Sequence, residues 1–124
     1  MNKVIKTNLA PEPVGAYSQA VLSGDLLFSS QIAIFPATGK LVENCIESQT
    51  KQTLENLKNI LQEAGMTLGN VVKTTVFLTD MSNFVKVNQV YSTYFKDNPP
   101  ARTTVEVNRL PLDGLVGIEI IAHR

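Results

Sequence analysis

The last ten residues, LVGIEIIAHR, constrain the fold most. Apolar side chains fill both alternations from Leu115 to Ala122, broken by Gly117 and Glu119. Successive residues of a strand point to opposite faces, so a strand of this kind needs cover on both sides. The chain has 124 residues and two helical stretches, enough to cover one face of a sheet. The other face calls for a second copy of the chain.

The two helices stand out by spacing. Ile46, Thr50, Thr53, Leu54, Leu57, Ile60, Leu61 and Ala64 recur at helical intervals. Asn44 is placed to cap this helix with Glu47 reaching back, and Gly65 to stop it. The second helix opens at Asp80 or Ser82 and carries Phe84, Val87, Tyr91, Tyr94 and Phe95 on one face. Pro99 and Pro100 end it.

Extended stretches fill the rest. They are KVIK (3–6), the run from Gly24 to Ile34, the β-branched run 70–80, ARTTVEVNRL (101–110) and the final ten residues. FPATGKLV, with Pro36 and Gly39, reads as a turn between extended pieces. The order of two or three strands, helix, strand, helix, strand, strand predicts an α+β chain. It has one mixed sheet with two helices packed on one face. Residues 1–124 read as a single domain.

Composition narrows the functions. Eleven basic and eleven acidic residues cancel, so no field draws the chain to nucleic acid or to a membrane surface. The first residues hold no apolar leader region, and no run reaches membrane-spanning length. A lone cysteine, Cys45, cannot close an internal disulfide, which points to a reducing, cytoplasmic setting. It reads as a buried structural cysteine. His123 is the only histidine and lies beside the last residue, so zinc sets and histidine-assisted nucleophiles are out of reach. No glycine-rich phosphate loop is present, so a nucleotide cofactor has no cradle.

The residues left for chemistry are few. Arg102, Thr104 and Glu106 share one face of their strand. On these residues alone, Arg102 reads first as a partner for Glu106. A clamp for a carboxylate, held by two parallel hydrogen bonds, is the alternative. Arg109 reads as an edge charge. Tyr17 lies in a loop-like stretch, where a phenol plugs a core or faces a ligand. Ser29 and Ser30 interrupt an apolar strand, and buried hydroxyls need partners. Asn88 falls on the face of the second helix that carries Phe84 and Tyr91.

Taken together, GAYSQA, SSQI, VVKTTVFLTDMSNFVKVNQVYSTYF, PPARTTVEVNRLP and IEIIA resemble the RidA/YjgF family, in order and over essentially the whole chain. The resemblance implies a chorismate-mutase-like, YjgF-like α+β fold with a mixed six-stranded sheet. It implies a homotrimer with clefts between subunits. It also implies hydrolysis of small reactive 2-imino or enamine acids to 2-keto acids and ammonia, with no cofactor and no metal.

By motif, Arg102 matches the arginine that binds the substrate carboxylate. Tyr17 matches the tyrosine of G-P-Y-S-Q, Ser29 the serine of S-G-Q, and Asn88 the asparagine of V-N-x-x-Y. Ser30, Thr104 and Glu119 join these as substrate-binding positions. Four positions depart from the pattern. Ala16 replaces a proline, Ser30 a glycine, Thr104 a frequent cysteine, and Gly117 the first glutamate of V-E-I-E-x-I-A, which handles the water. Glu119 matches the second glutamate, roughly 6.6 Å further along the strand. Gly117 therefore supports a second expectation beside the deaminase: a weakly catalytic or non-catalytic trimer that binds small carboxylates or keto acids as a sensor or regulator.

Overall fold

The computed structural model describes residues 2–124. Strands β1 (Asn2–Ile5), β2 (Ala20–Ser23) and β3 (Leu26–Ile32) lead into a short ribbon of β4 (Ile34–Phe35) and β5 (Lys40–Leu41). Helix α1 (Ile46–Glu63), strand β6 (Val71–Leu78), helix α2 (Phe84–Tyr94), strand β7 (Ala101–Glu106) and strand β8 (Val116–His123) follow. The main sheet has six strands in the order β1-β2-β3-β8-β6-β7. Only β6 and β7 pair in parallel, so the sheet is mixed. The α+β architecture, the six strands and the two helices match the sequence reading.

Strand parity separates the two faces of the sheet. Leu27, Val76, Leu78, Val116, Ile118, Ile120 and Ala122 are buried under the helices with Leu54, Leu57, Ile60 and Leu61 of α1. On the opposite face Val4, Leu26, Phe28 and Val105 stand exposed, Phe28 by 43% and Val4 by 61%. Register builds that face in rows. Val4, Val21, Phe28 and Ile121 form one apolar row. Ser30, Glu119, Thr75 and Thr103 form a polar row beside it, and Ile32, Gly117, Phe77 and Val105 the next. The face inferred to need cover is therefore bare in one chain.

Several local expectations are corrected. Cys45, not Asn44, is the cap residue of α1, in extended backbone, with no side-chain cap bond. Glu47 accepts a contact from the Cys45 thiol at 3.5 Å rather than bonding the backbone amide of Asn44. That cysteine is partly exposed, not buried, because the cap position sits outside the packed stripe of the helix. Helix α2 ends at Tyr94, short of the prolines. Asn98 takes a left-handed backbone, φ 48°, which lets the chain turn before Pro99. Strand β7 stops at Glu106 rather than at Leu110. The ribbon β4–β5 is a second small sheet beside the expected one. By contrast Gly65, at φ 75°, closes α1 as expected, with the Met66 amide donating to the Leu61 carbonyl. Asp80 caps the turn that leads into α2, its carboxylate accepting from the Ser82 amide.

Buried polar side chains tie the loops to this frame. Gln19, 2% exposed, accepts from the Thr7 amide and donates to the carbonyls of Thr7, Ala10 and Pro11. Asn56 of α1 donates to the Ile32 and Ile34 carbonyls, where β3 turns into the ribbon. Tyr94 of α2 donates to Glu55 of α1 at 2.7 Å. Burial, with Glu55 beside it, pushes that phenol above its ordinary range. Gln19→Ala leaves several backbone groups of the Thr7–Pro11 segment without partners. It should cost about 2–3 kcal/mol of unfolding free energy, read as a lower midpoint in urea unfolding. An unchanged midpoint would mean that water replaces the amide at no cost.

Candidate functional site

A groove of about 620 Å³ opens between α2 and the start of β7. Asn88, Gln89, Ser92 and Arg102 supply its polar side, and Val85, Phe95, Pro99 and Pro100 its apolar side. The parallel pairing of β6 with β7 sets Arg102 opposite Thr74, on the face that carries the helices. Its guanidinium therefore extends under α2. Asn88 Oδ1 accepts from Arg102 Nη1 at 2.6 Å. The guanidinium carbon lies over the Tyr91 ring, 4.8 Å from its centre, and 5.5 Å from that of Phe84. Phe84, Asn88 and Tyr91 stand at i, i+4 and i+7, so one stripe of α2 holds the arginine on three sides.

Among the described residues, Arg102 has no carboxylate partner. Glu106, its expected partner, accepts from the Met81 amide instead. Arg109 pairs with Asp113 at the exposed surface, as an edge charge would. With Nη1 bonded to a neutral amide, Arg102 keeps its full positive charge and its other N–H groups for an incoming anion. This arrangement favours the clamp reading over the strand-end ion pair.

The other candidate residues fall into separate places. Thr104 lies beside Arg102 on the same face of β7 and is half-buried. Ser29 is also on the helix side, but on β3. Three strand steps separate β3 from β7, roughly 14 Å at the usual spacing. Ser29 is buried and donates to the Gln19 carbonyl at 2.6 Å. Tyr17 is 56% exposed on the loop before β2, its hydroxyl accepting from the Val14 amide. Ser30 and Glu119 face each other in register on the bare side of the sheet. Gly117 lies on that side too, between Ile32 and Phe77. The chain thus brings together Arg102, Asn88 and Thr104. It sets Tyr17 and Ser29 apart from them, and Ser30 and Glu119 on the opposite face.

The sequence reading placed Phe84 and Tyr91 only on the apolar face of α2 and did not connect them with Arg102. The signal was present in their spacing from Asn88. What was missing was the register that carries β7 beneath α2. Among the described residues, no cluster of three or more His, Cys, Asp or Glu stands ready as a metal set. None of the described helices is long and apolar enough to cross a membrane.

The chain resembles known proteins over nearly its whole length. The family model described as Endoribonuclease L-PSP matches residues 7–124. A RutC family protein of Pyrococcus horikoshii is 51% identical, over 100% of this chain and 99% of its own. A 2-iminobutanoate/2-iminopropanoate deaminase of Rattus norvegicus is 46% identical, over 98% of this chain and 90% of its own. The crystal structure of E. coli TdcF with bound serine superposes with a TM-score of 0.94 at 40% identity, covering 98% of each chain.

Proposed function

The chain belongs to the endoribonuclease L-PSP family, the RidA/YjgF family of the sequence reading, and we propose that it hydrolyses small 2-imino and enamine acids to 2-keto acids and ammonia. One observation carries this reading: Arg102 is braced by Asn88, Tyr91 and Phe84 at a groove, with no carboxylate partner among the described residues. The rat relative is named for this activity. The TdcF structure holds serine, which offers the same kind of α-carboxylate.

The reaction asks little of the protein. A protonated imine is already an electrophile, so positioning substrate and water supplies much of the acceleration. Arg102 takes the carboxylate through two N–H groups. An enamine first takes a proton on its β-carbon to become the iminium. Water adds to the imine carbon and passes one proton to the nitrogen, giving a carbinolamine that carries an ammonium group. Its C–N bond then breaks with the electron pair going to nitrogen, and the departing ammonia takes the hydroxyl proton as that oxygen becomes the keto oxygen. Ser29 has committed its proton to the Gln19 carbonyl, so its oxygen accepts from the substrate N–H. Tyr17 accepts from Val14, so its own proton is free for the water or the leaving nitrogen.

In one chain Ser29 lies roughly 14 Å from Arg102 across the sheet, and Tyr17 does not line the Arg102 groove. The reading therefore includes a trimer, with Tyr17 and Ser29 of one copy completing the Arg102 groove of the next. The bare sheet face supports this assembly, because its exposed Phe28 and Val4 need cover. Sedimentation is expected to give three times the chain mass for the wild type and dissociation for Phe28→Asp. A wild-type monomer would remove the cleft between copies.

The balanced charge does not favour an RNA substrate. Gly117, in place of the family's water-handling glutamate, favours a second reading, a carboxylate-binding protein with little turnover. A threonine dehydratase coupled to the protein separates the two. Loss of 2-iminobutanoate faster than without protein supports the deaminase. Background loss together with Arg102-dependent binding of 2-ketobutyrate supports the binding protein.

A further inference from the structure

We propose that Tyr91 is a positioning residue for Arg102: its ring, anchored by Thr74, fixes the plane of the guanidinium so that the fork meets a carboxylate edge-on. This rests on the carboxylate-clamp reading and adds a residue to it. Four contacts form a closed circuit. Thr74 and Arg102 are register partners across β6 and β7. Thr74 Oγ1 and the Tyr91 hydroxyl share a hydrogen bond of 2.8 Å. The Tyr91 ring lies beneath the guanidinium, and Asn88, three residues earlier on α2, holds Nη1.

Each part of the circuit is rigid. Thr74 is fully buried and Tyr91 is 5% exposed. Phe95 packs on the Tyr91 ring at 4.7 Å and limits its tilt. Burial pushes the Tyr91 phenol above its ordinary range, against the opposing pulls of Thr74 and Arg102. The phenol therefore stays protonated and neutral, and competes for Arg102 with a ring face rather than with a negative charge. A guanidinium stacked on a ring keeps its N–H groups in its own plane, free at the edge. A bidentate contact needs that plane fixed, because its two hydrogen bonds are parallel.

Two substitutions and two readouts test this. Tyr91→Met removes the ring and fills the space with a flexible apolar chain. Tyr91→Phe keeps the ring. In the unliganded protein, the Arg102 Nε–H proton should resonate upfield of an ordinary arginine because of the ring beneath it. Tyr91→Met should move it to the ordinary position, and Tyr91→Phe should hold it.

Calorimetric titration of 2-ketobutyrate and of its neutral amide gives the second readout. Tyr91→Met should weaken the keto acid on the order of tenfold, the size of a desolvated cation–π contact. The amide should be almost unaffected. Tyr91→Phe should stay within about threefold of wild type. The proposal is overturned by a wild-type Arg102 proton at the ordinary position, a reading that needs no variant to fold. It is also overturned if Tyr91→Met weakens keto acid and amide alike, or if Tyr91→Phe is as poor as Tyr91→Met. A wild type with the shifted proton but no affinity for 2-ketobutyrate would instead sink the carboxylate-clamp reading.

Discussion

Arg102→Ala is expected to weaken 2-ketobutyrate binding on the order of 10²-fold or more, with a matching loss of imine turnover. The guanidinium is the positive group of the groove, and its Nη1 alone is taken, by Asn88. Its removal leaves a carboxylate only neutral donors such as Asn88, Gln89 and Ser92 beside the apolar wall of Phe95, Pro99 and Pro100. Arg102→Lys should recover only part of the loss. An ammonium keeps the charge but not the two parallel hydrogen bonds, nor the flat contact with Tyr91. Unfolding should change little in either variant, since Arg102 is half-buried and forms no ion pair that the fold relies on. Calorimetric titration and the dehydratase-coupled assay read the two effects separately. Equal affinity in wild type and Arg102→Ala would remove Arg102 as the clamp.

Gly117→Glu is expected to raise turnover by about 10²-fold, at the lower end of what a positioned general base contributes. A first side-chain carbon fits there. A side chain begun at Gly117 would meet Ile32 at 3.5 Å and Leu110 at 3.6 Å, ordinary contact distances. The new carboxylate would stand with Glu119, two residues on, on the sheet face opposite the Arg102 groove of its own chain, so it would act on substrate held by another copy packed against that face. The two like charges raise the proton affinity of at least one of them. The gain should therefore be smaller in mildly acidic buffer and fuller above neutrality, as the added base loses its proton. The measurement is kcat against pH for both proteins. A rate unmoved at every pH would take the water-handling role away from position 117.

Much of the fold was legible because it depends on local pattern. The stripe from Ile46 to Ala64 and the β-branched run of β6 each declare their structure over enough residues to outweigh neighbouring signals. The ribbon of β4 and β5 does not, since two-residue strands carry no period. The end of α2 was misread because prolines are conspicuous, whereas the turn is made at Asn98, where backbone angle rather than composition decides.

The site divides in the same way. Parity along β7 correctly grouped Arg102 with Thr104. Parity along one strand does not say which face meets the helices, so it could not place Ser29 with the core and Ser30 on the open face. That needs the pairing of β3 with β8 and of β8 with β6, which joins residues far apart in sequence. The circuit of Thr74, Tyr91, Asn88 and Arg102 was hidden for the same reason. Its members lie on three elements, joined by hydrogen bonds of 2.8 and 2.6 Å and by the guanidinium lying over the Tyr91 ring.

In the proposed mode of action, Arg102 grips a small carboxylate in a cleft completed by another copy of the chain. A crystal structure of the protein soaked in 2-ketobutyrate tests it most directly. The account predicts the carboxylate bonded in parallel to two N–H groups of Arg102, with Asn88 still on Nη1 and Tyr17 of a second copy beside the keto carbon. A keto acid seated elsewhere, or an Arg102 groove that stays empty at saturating ligand, would contradict it.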